Sequence, residues 1–317
     1  MDIAYGKTAY VNGEKIEGLF VPRSSLKVGD YVSYIPDTTS AYSIPSTVSG
    51  YESEQTIEQE NLMWQILNIN DDGTIDLISS EPNSQMLYLK GALGYNNAVY
   101  VLNDICSKLY SNEKLKLIAR SINLEDDIET KMNEEGINAR NSYGYYGTAY
   151  TITTNNRYYP NLYEQEKGSG IDTGIAREDG IAKNDSYYET PTTETSSQAG
   201  NSLTATSDYY YMVKSETTQY FNDEIWYDIV FNKSNYWLAS RCTDAYTGGA
   251  DFYLRFINKG ALGNNGLFYS NNIEYDGYAS FRPIVTLSLE IIIYGGDGSK
   301  DAPYKLSLIH ISEPTRP

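Results

Sequence analysis

The sequence predicts an α+β protein: short antiparallel strands, two main helices and a long insertion rich in Tyr, Thr and Ser. Three observations predict it. Short runs alternating apolar and polar residues recur near both ends of the chain, the period of half-buried strands. Two segments between residues 97 and 136 carry helix signals, and residues 141–220 carry neither period. The 317 residues, 40% of them hydrophobic, are enough for one large domain with a sizeable core.

The elements follow in order. Tyr10-Val11-Asn12-Gly13-Glu14-Lys15-Ile16 sets Asn-Gly between strand-forming residues, the signal of a type I′ hairpin. Leu26 to Tyr34 alternates like a half-buried strand, whereas residues 36–60 are rich in Ser, Thr and Glu and read as a long loop. Trp64–Ile69 and Thr74–Ser79 flank Asn70-Asp71-Asp72-Gly73, a second hairpin. Asn68, Asn70, Asp72, Gly73 and Asp76 align with a calcium loop, but Ser79 stands where the bidentate Glu belongs, and the flanks are strands.

Asn97 to Ser111 places Val99, Leu102, Ile105, Cys106 and Leu109 on one stripe, so a helix is expected. A second helix is expected from an Asn123 N-cap, with Glu125, Asp126, Asp127 and Glu129 near its positive end, to Gly136 at its close. Strand patterns return at Tyr236–Arg241, Asp251–Ile257, Leu267–Ser270 and Phe281–Leu287, and 295–299 read as a turn. The expected division is residues 1–25 as an N-terminal hairpin and leader remnant, then 26–290 as a single domain containing the irregular insertion 141–220. Residues 291–305 are a closing turn and strand.

Composition narrows the function. A formal charge of −18 opposes binding to phosphate backbones, so no nucleic-acid partner is expected. No apolar run is long enough to span a bilayer, so no transmembrane segment is expected in this chain. Tyr supplies 32 of the aromatic residues, against 3 Trp and 7 Phe. Tyr offers wide, stiff contact area with a polar tip, which suits a recognition surface. It equally suits half-exposed strands.

Residues 306–317, Leu-Ser-Leu-Ile-His-Ile-Ser-Glu-Pro-Thr-Arg-Pro, resemble a translated sequencing adapter and are expected to be an artefactual tail. The single histidine, His310, lies within them. Without it there is no imidazole for Ser–His or Cys–His activation or for a His-ligated zinc. The enzyme options that remain need paired carboxylates or a Lys base, and no catalytic residue, metal or cofactor is assigned.

Several strings occur in a telling order: Leu-Lys-Val-Gly-Asp-Tyr-Val (26–32), Gly-Ala-Leu-Gly-Tyr-Asn-Asn (91–97), Leu-Asn-Asp-Ile-Cys (102–106) and Ala-Arg-Ser-Ile-Asn (119–123). Tyr-Trp-Leu-Ala-Ser-Arg (236–241) and Phe-Arg-Pro-Ile-Val-Thr-Leu (281–287) complete the series. Together they resemble uncharacterised exported, pilin-like surface proteins of Gram-positive bacteria. The C-terminal part of such proteins resembles the C-type-lectin-like, formylglycine-generating-enzyme-like fold. That resemblance implies an extracellular or cell-surface location, with the anchor or signal outside this chain. It also implies a scaffold of the kind that diversity-generating retroelements vary near the C-terminus.

The expected activity is thus non-enzymatic binding or surface display of a protein or glycan ligand. Its candidate face is Tyr246, Asp251, Tyr253, Arg255, Asn258, Asn264, Asn265, Tyr269, Asn271, Asn272, Tyr275 and Tyr278, with Phe252, Leu254, Phe256, Trp237, Phe281 and Leu287 turned into the core. The alternative is a carbohydrate-active enzyme with two carboxylates about 5–10 Å apart. A formylglycine-generating-type oxidase would need a close reactive cysteine pair. Cys106 and Cys242 are instead read as one structural disulfide, two buried thiols being the other reading. Calcium-dependent sugar binding could draw on Asn271-Asn272-Ile273-Glu274 or on Asp297 to Asp301, but both spacings also suit turns.

Overall fold

The computed structural model describes residues 7–11, 14–153, 202–269 and 273–308. Strands β1 (Thr8–Val11) and β2 (Glu14–Glu17) form the first hairpin. After β3 (Tyr31–Ser33) comes an arm made of β4 (Ala41–Ile44), the one-turn helix α1 (Ser46–Ser49) and β5 (Gln55–Glu58). β6 (Trp64–Ile69) pairs with β7 (Ile75–Ser79), and β8 (Leu87–Lys90) runs straight into α2 (Gly91–Tyr110). β9 (Ala119–Ser121) and α3 (Glu134–Asn141) precede the pair β10 (Ala149–Thr153) and β11 (Ser202–Thr206).

The short helices α4 (Lys214–Thr217) and α5 (Glu224–Phe231) then lead to three long strands, β12 (Tyr236–Tyr246), β13 (Gly249–Asn258) and β14 (Ala261–Tyr269). β15 (Ile273–Glu274), β16 (Asp276–Ala279), β17 (Pro283–Leu287), β18 (Ile291–Tyr294) and β19 (Tyr304–Leu308) follow.

Two sheets dominate. One has seven strands in the order β18-β19-β3-β6-β7-β17-β9, and the other has four in the order β12-β13-β14-β15. The protein is therefore mixed α+β, as the strand and helix periods predict. α2 packs against β9 of the first sheet and β12 and β14 of the second. Its stripe of Val99, Leu102, Ile105, Cys106 and Leu109 is buried, joining Ile66, Leu77 and Val285 to Phe252, Leu254 and Phe268 in one core. A second core, on Ile78, Leu238, Ile257 and Ile284, is covered by Trp226, Val230 and Phe231 of α5. Because both faces are covered, every residue of β7 is buried, including Asp76. Each fully buried Leu, Ile or Phe contributes about 1.5–3 kcal/mol by leaving water.

Several expectations need correction. The helix expected over residues 123–136 is broken. Asn123 does cap it, its side chain accepting from the Asp126 amide, but one π turn (Leu124–Ile128) and one 3₁₀ turn (Glu129–Lys131) follow. The chain restarts as α3 with Asn133 as its cap, so Gly136 lies inside the first turn of α3 rather than at a helix end. The Asp127 carboxylate accepts from the Asn123 amide and from both terminal Arg120 nitrogens at 2.6 Å, which anchors the π turn to β9.

Residues 36–60 are not a plain loop, since they hold the β4–α1–β5 arm. The insertion is narrower than 141–220: β10 and β11 form its antiparallel stem, and Tyr210, Met212, Tyr220 and Thr217 are buried. Residues 154–201 lie outside the described residues. The boundary at 290 cuts through the large sheet, because β18 and β19 belong to it and β19 lies parallel to β3. Leu306, Ser307 and Leu308, assigned to the foreign tail, continue β19 opposite Ile293, Ile292 and Ile291. A ladder needs only backbone groups and alternating side chains, which this triplet supplies. The N-terminal boundary is also soft, since Val21 is buried and Phe20 bridges to Tyr294.

Candidate functional site

The site grows from the pleat of β13 and β14. Asp251, Tyr253 and Arg255 point to one face, while Phe252 and Leu254 are fully buried on the other and Phe256 packs partly buried against the core. Opposite them on β14, Asn264 pairs with Arg255 and Gly266 with Tyr253, before a bulge brings Tyr269 opposite Asp251. Gly266 lacks the side chain that would hold the rings away. A Cβ there would sit 2.7 Å from the Tyr269 hydroxyl and 3.1 Å from a Tyr253 ring carbon.

A row of tyrosines results. Ring centres run Tyr143–Tyr209 at 6.0 Å, Tyr209–Tyr253 at 5.1 Å, Tyr253–Tyr269 at 6.1 Å and Tyr269–Tyr275 at 4.9 Å. Each neighbour is tilted by 53° to 56°, so the row is a herringbone that presents ring edges and hydroxyls rather than one flat plate. Tyr246 lies beside it, its hydroxyl donating to Asp251 at 3.3 Å. Burial raises the Tyr253 and Tyr269 hydroxyls above the ordinary tyrosine range, so both stay neutral donors and acceptors at physiological pH.

Arg255 is not part of the open face, contrary to the surface position expected for it. The segment 207–212 crosses over it. Arg255 is 2% exposed and donates to the backbone oxygens of Asp208 and Tyr210 and to the Asn264 side chain. Asn264 in turn donates to the Tyr210 oxygen at 2.7 Å. The crossing segment is also paired to β12 and β14: Asp208 donates its amide to Thr243, and Met212 exchanges both backbone bonds with Leu262. Tyr210 and Met212 point inward, which turns Tyr209 into the row and leaves Tyr211 exposed.

Beneath this segment lies a buried polar layer. Burial pushes the Asp208 carboxyl up to about 7, against the pull of the Arg255 charge and the Thr243 amide. Glu125 is raised well above its usual value, again by burial first, although the Ser240 hydroxyl donates to it. Glu129 accepts from the Tyr210 hydroxyl at 2.7 Å and pairs with Arg140 at 2.9 Å. Three acids of the cluster are bonded internally, Asp127 to Arg120, Glu129 to Arg140 and Glu125 to Ser240, while the exposed Asp126 carboxylate accepts from the Asn123 side chain at 3.3 Å.

The remaining predicted residues divide. Asp251, Tyr253, Tyr269 and Tyr275 lie together. Asn265 does not join them. It shares the opposite face with Leu254, close enough that a Cβ on Gly277 would sit 2.9 Å from its amide. Asn258 is exposed at the far β13–β14 turn. Tyr278 stands on β16 with Tyr88 and Tyr51, at 5.4 Å and 4.7 Å between successive centres. Asn271 and Asn272 lie outside the described residues, as does His310.

The expected disulfide is absent. Cys106 and Cys242 are both free, buried thiols: Cys106 sits in the α2 core, and Cys242 donates instead to Asn264 at 3.2 Å. Burial raises both thiols, which keeps them protonated and poor nucleophiles. In the 68–76 hairpin, Asn68 and Asn70 both donate to Asp76, so these calcium-loop candidates bond one another. Tyr143 and Tyr209 were missed by sequence reasoning. The run Tyr209-Tyr210-Tyr211-Met212 carries no period in the sequence that would separate the inner Tyr210 and Met212 from the outer Tyr209 and Tyr211.

No protein-family model, curated protein or solved structure matches the chain.

Proposed function

We propose that the protein is a non-enzymatic binding or display module of a bacterial surface, with the herringbone Tyr143–Tyr209–Tyr253–Tyr269–Tyr275 as the centre of its ligand face. The observation that carries this reading is the row itself, gathered from four separate stretches of chain onto one face. Stiff, amphipathic rings lose little freedom on contact and bind through edges and hydroxyls, as in antibody combining sites. The bonded state of the acidic cluster favours binding over glycoside hydrolysis, which needs two carboxylates facing one cavity.

The finer reading is a C-type-lectin-like domain, exported and held at the cell surface, whose C-terminal third is open to diversification. Its support is the resemblance of residues 26–305 together with the position of the row on β13 and β14. A protein or glycan is the ligand class that such a face accommodates.

The test is an immobilised panel of bacterial and host oligosaccharides and surface proteins, probed with the chain and with a Tyr253→Ala/Tyr269→Ala variant. Binding that the double variant loses at unchanged melting temperature is the expected result. Unchanged capture by the variant would remove this face, and release of reducing sugar from the panel would overturn the non-enzymatic reading.

A further inference from the structure

A second site lies away from the tyrosine row, between the β4–α1 arm and α2. There, Tyr42, Ser43, Ile44, Pro45 and Val48 face Tyr100 and Val101 across a cavity of about 210 Å³. The arm is firmly seated. Asn97 donates to the Val48 oxygen at 3.0 Å, Gln55 clasps the Tyr88 backbone through two bonds of 2.8 Å, and Val48 and Ser49 are buried. The cavity is thus walled by fixed elements rather than by a loose loop.

Its chemistry is two-sided. Ile44, Val48 and Val101 form an apolar floor, all but inaccessible to water. The rims are the half-buried Tyr42 and Tyr100. One turn along α2 from Tyr100 and Val101 stands Asp104, on the same helix face by its i+4 and i+3 spacing. Its carboxylate accepts the Tyr42 hydroxyl, which fixes it at the cavity edge. A carboxylate therefore lies beside an apolar well framed by two tyrosine side chains, on a chain of net charge −18.

We propose that this cavity binds a small amphiphilic cation, an aryl- or alkylammonium, with the apolar body in the well and the ammonium against Asp104 and the two tyrosine rings. Volume permits it: an apolar cavity of about 150 Å³ takes a benzene ring. The charge chooses the sign. A cation gains a charge-assisted bond to the carboxylate and contact with the electron-rich ring faces, while an anion meets repulsion from Asp104 and from the whole molecule. This site is independent of the proposed ligand face, sharing no residue with it.

The test is titration of the whole chain with protonated 2-phenylethylamine, by calorimetry and ligand-observed NMR, beside the neutral 2-phenylethanol. Saturable binding of the amine is expected, weakened about tenfold in the alcohol and in Asp104→Asn, the worth of one charge-assisted bond at a half-exposed position. Asp104→Asn keeps an oxygen to accept the Tyr42 hydroxyl and so keeps the arm in place. Val101→Phe, which fills the well, should abolish binding, with its melting curve checking the fold. No saturable binding of the amine, or equal binding of amine and alcohol, overturns the proposal. So does full affinity in Asp104→Asn.

Discussion

The Arg255 guanidinium lies 4.3 Å from the centre of the Tyr210 ring and donates to that residue's own carbonyl oxygen at 2.7 Å. One side chain thereby holds both the ring and the backbone of the segment that carries Tyr209 into the row. A buried cation with stacked and hydrogen-bonded partners is costly to unpair.

Replacing it follows from that geometry. Arg255→Met should destabilise the protein by about 3–5 kcal/mol, because the buried layer with Asp208 and Glu125 loses its cation. Arg255→Lys should rescue only part of this, since an ammonium cannot reach the Asp208 and Tyr210 oxygens and Asn264 in one plane. Urea denaturation of the three proteins measures both, and a loss below 1 kcal/mol would contradict the role given to Arg255.

Stability should also fall as pH rises. Asp208 titrates at about 7 in the folded chain, above its unfolded value of 3.8, so the folded state holds the proton more tightly. The stabilisation is complete below the unfolded value and is lost as pH climbs through about 7. Glu125, also raised, acts in the same direction. Urea midpoints should be higher at pH 5 than at pH 8. Asp208→Asn, whose side-chain oxygen can still accept the Thr243 amide, should flatten that slope.

Gly266 sets the spacing of the row. Gly266→Ala would push a methyl against Tyr269 and Tyr253, contacts made by side-chain atoms that can move. The expected cost in stability is about 1 kcal/mol or less, with a clear change in the tyrosine near-ultraviolet circular dichroism. An unchanged spectrum would mean that the rings do not lie over this glycine.

The thiols give a direct chemical check. Iodoacetamide applied without reductant should label neither cysteine in the native protein and both Cys106 and Cys242 after denaturation, as read by mass spectrometry. A species two hydrogen atoms lighter and resistant to labelling would restore the disulfide.

Much of the scaffold was legible before any coordinates. The stripe Val99-Leu102-Ile105-Cys106-Leu109 named the central helix, although α2 begins earlier, at Gly91, where no apolar period marks the start. The hairpin around residues 70–73 and the buried Trp237, Phe281 and Leu287 were equally plain. α5 was not. Its Ile-Trp-Tyr-Asp-Ile-Val-Phe run is too short and too apolar to separate helix from strand by period. Of the tyrosine row, Tyr253 was legible through the alternation on β13 and Tyr269 and Tyr275 through the C-terminal third, whereas Tyr143 and Tyr209 were not, because they come from segments without period on either side of the insertion.

By itself the sequence determined the mixed class, the net negative charge, the central helix and the inward residues of the long strands. These depend on periods that backbone geometry imposes locally, so they can be read along the chain. Tertiary structure alone decided that Arg255 is buried and that Cys106 and Cys242 stay apart. Whether a strand face meets water depends on what crosses it, and here the crossing residue Asp208 lies 47 positions from Arg255. No local pattern encodes a cover that far away.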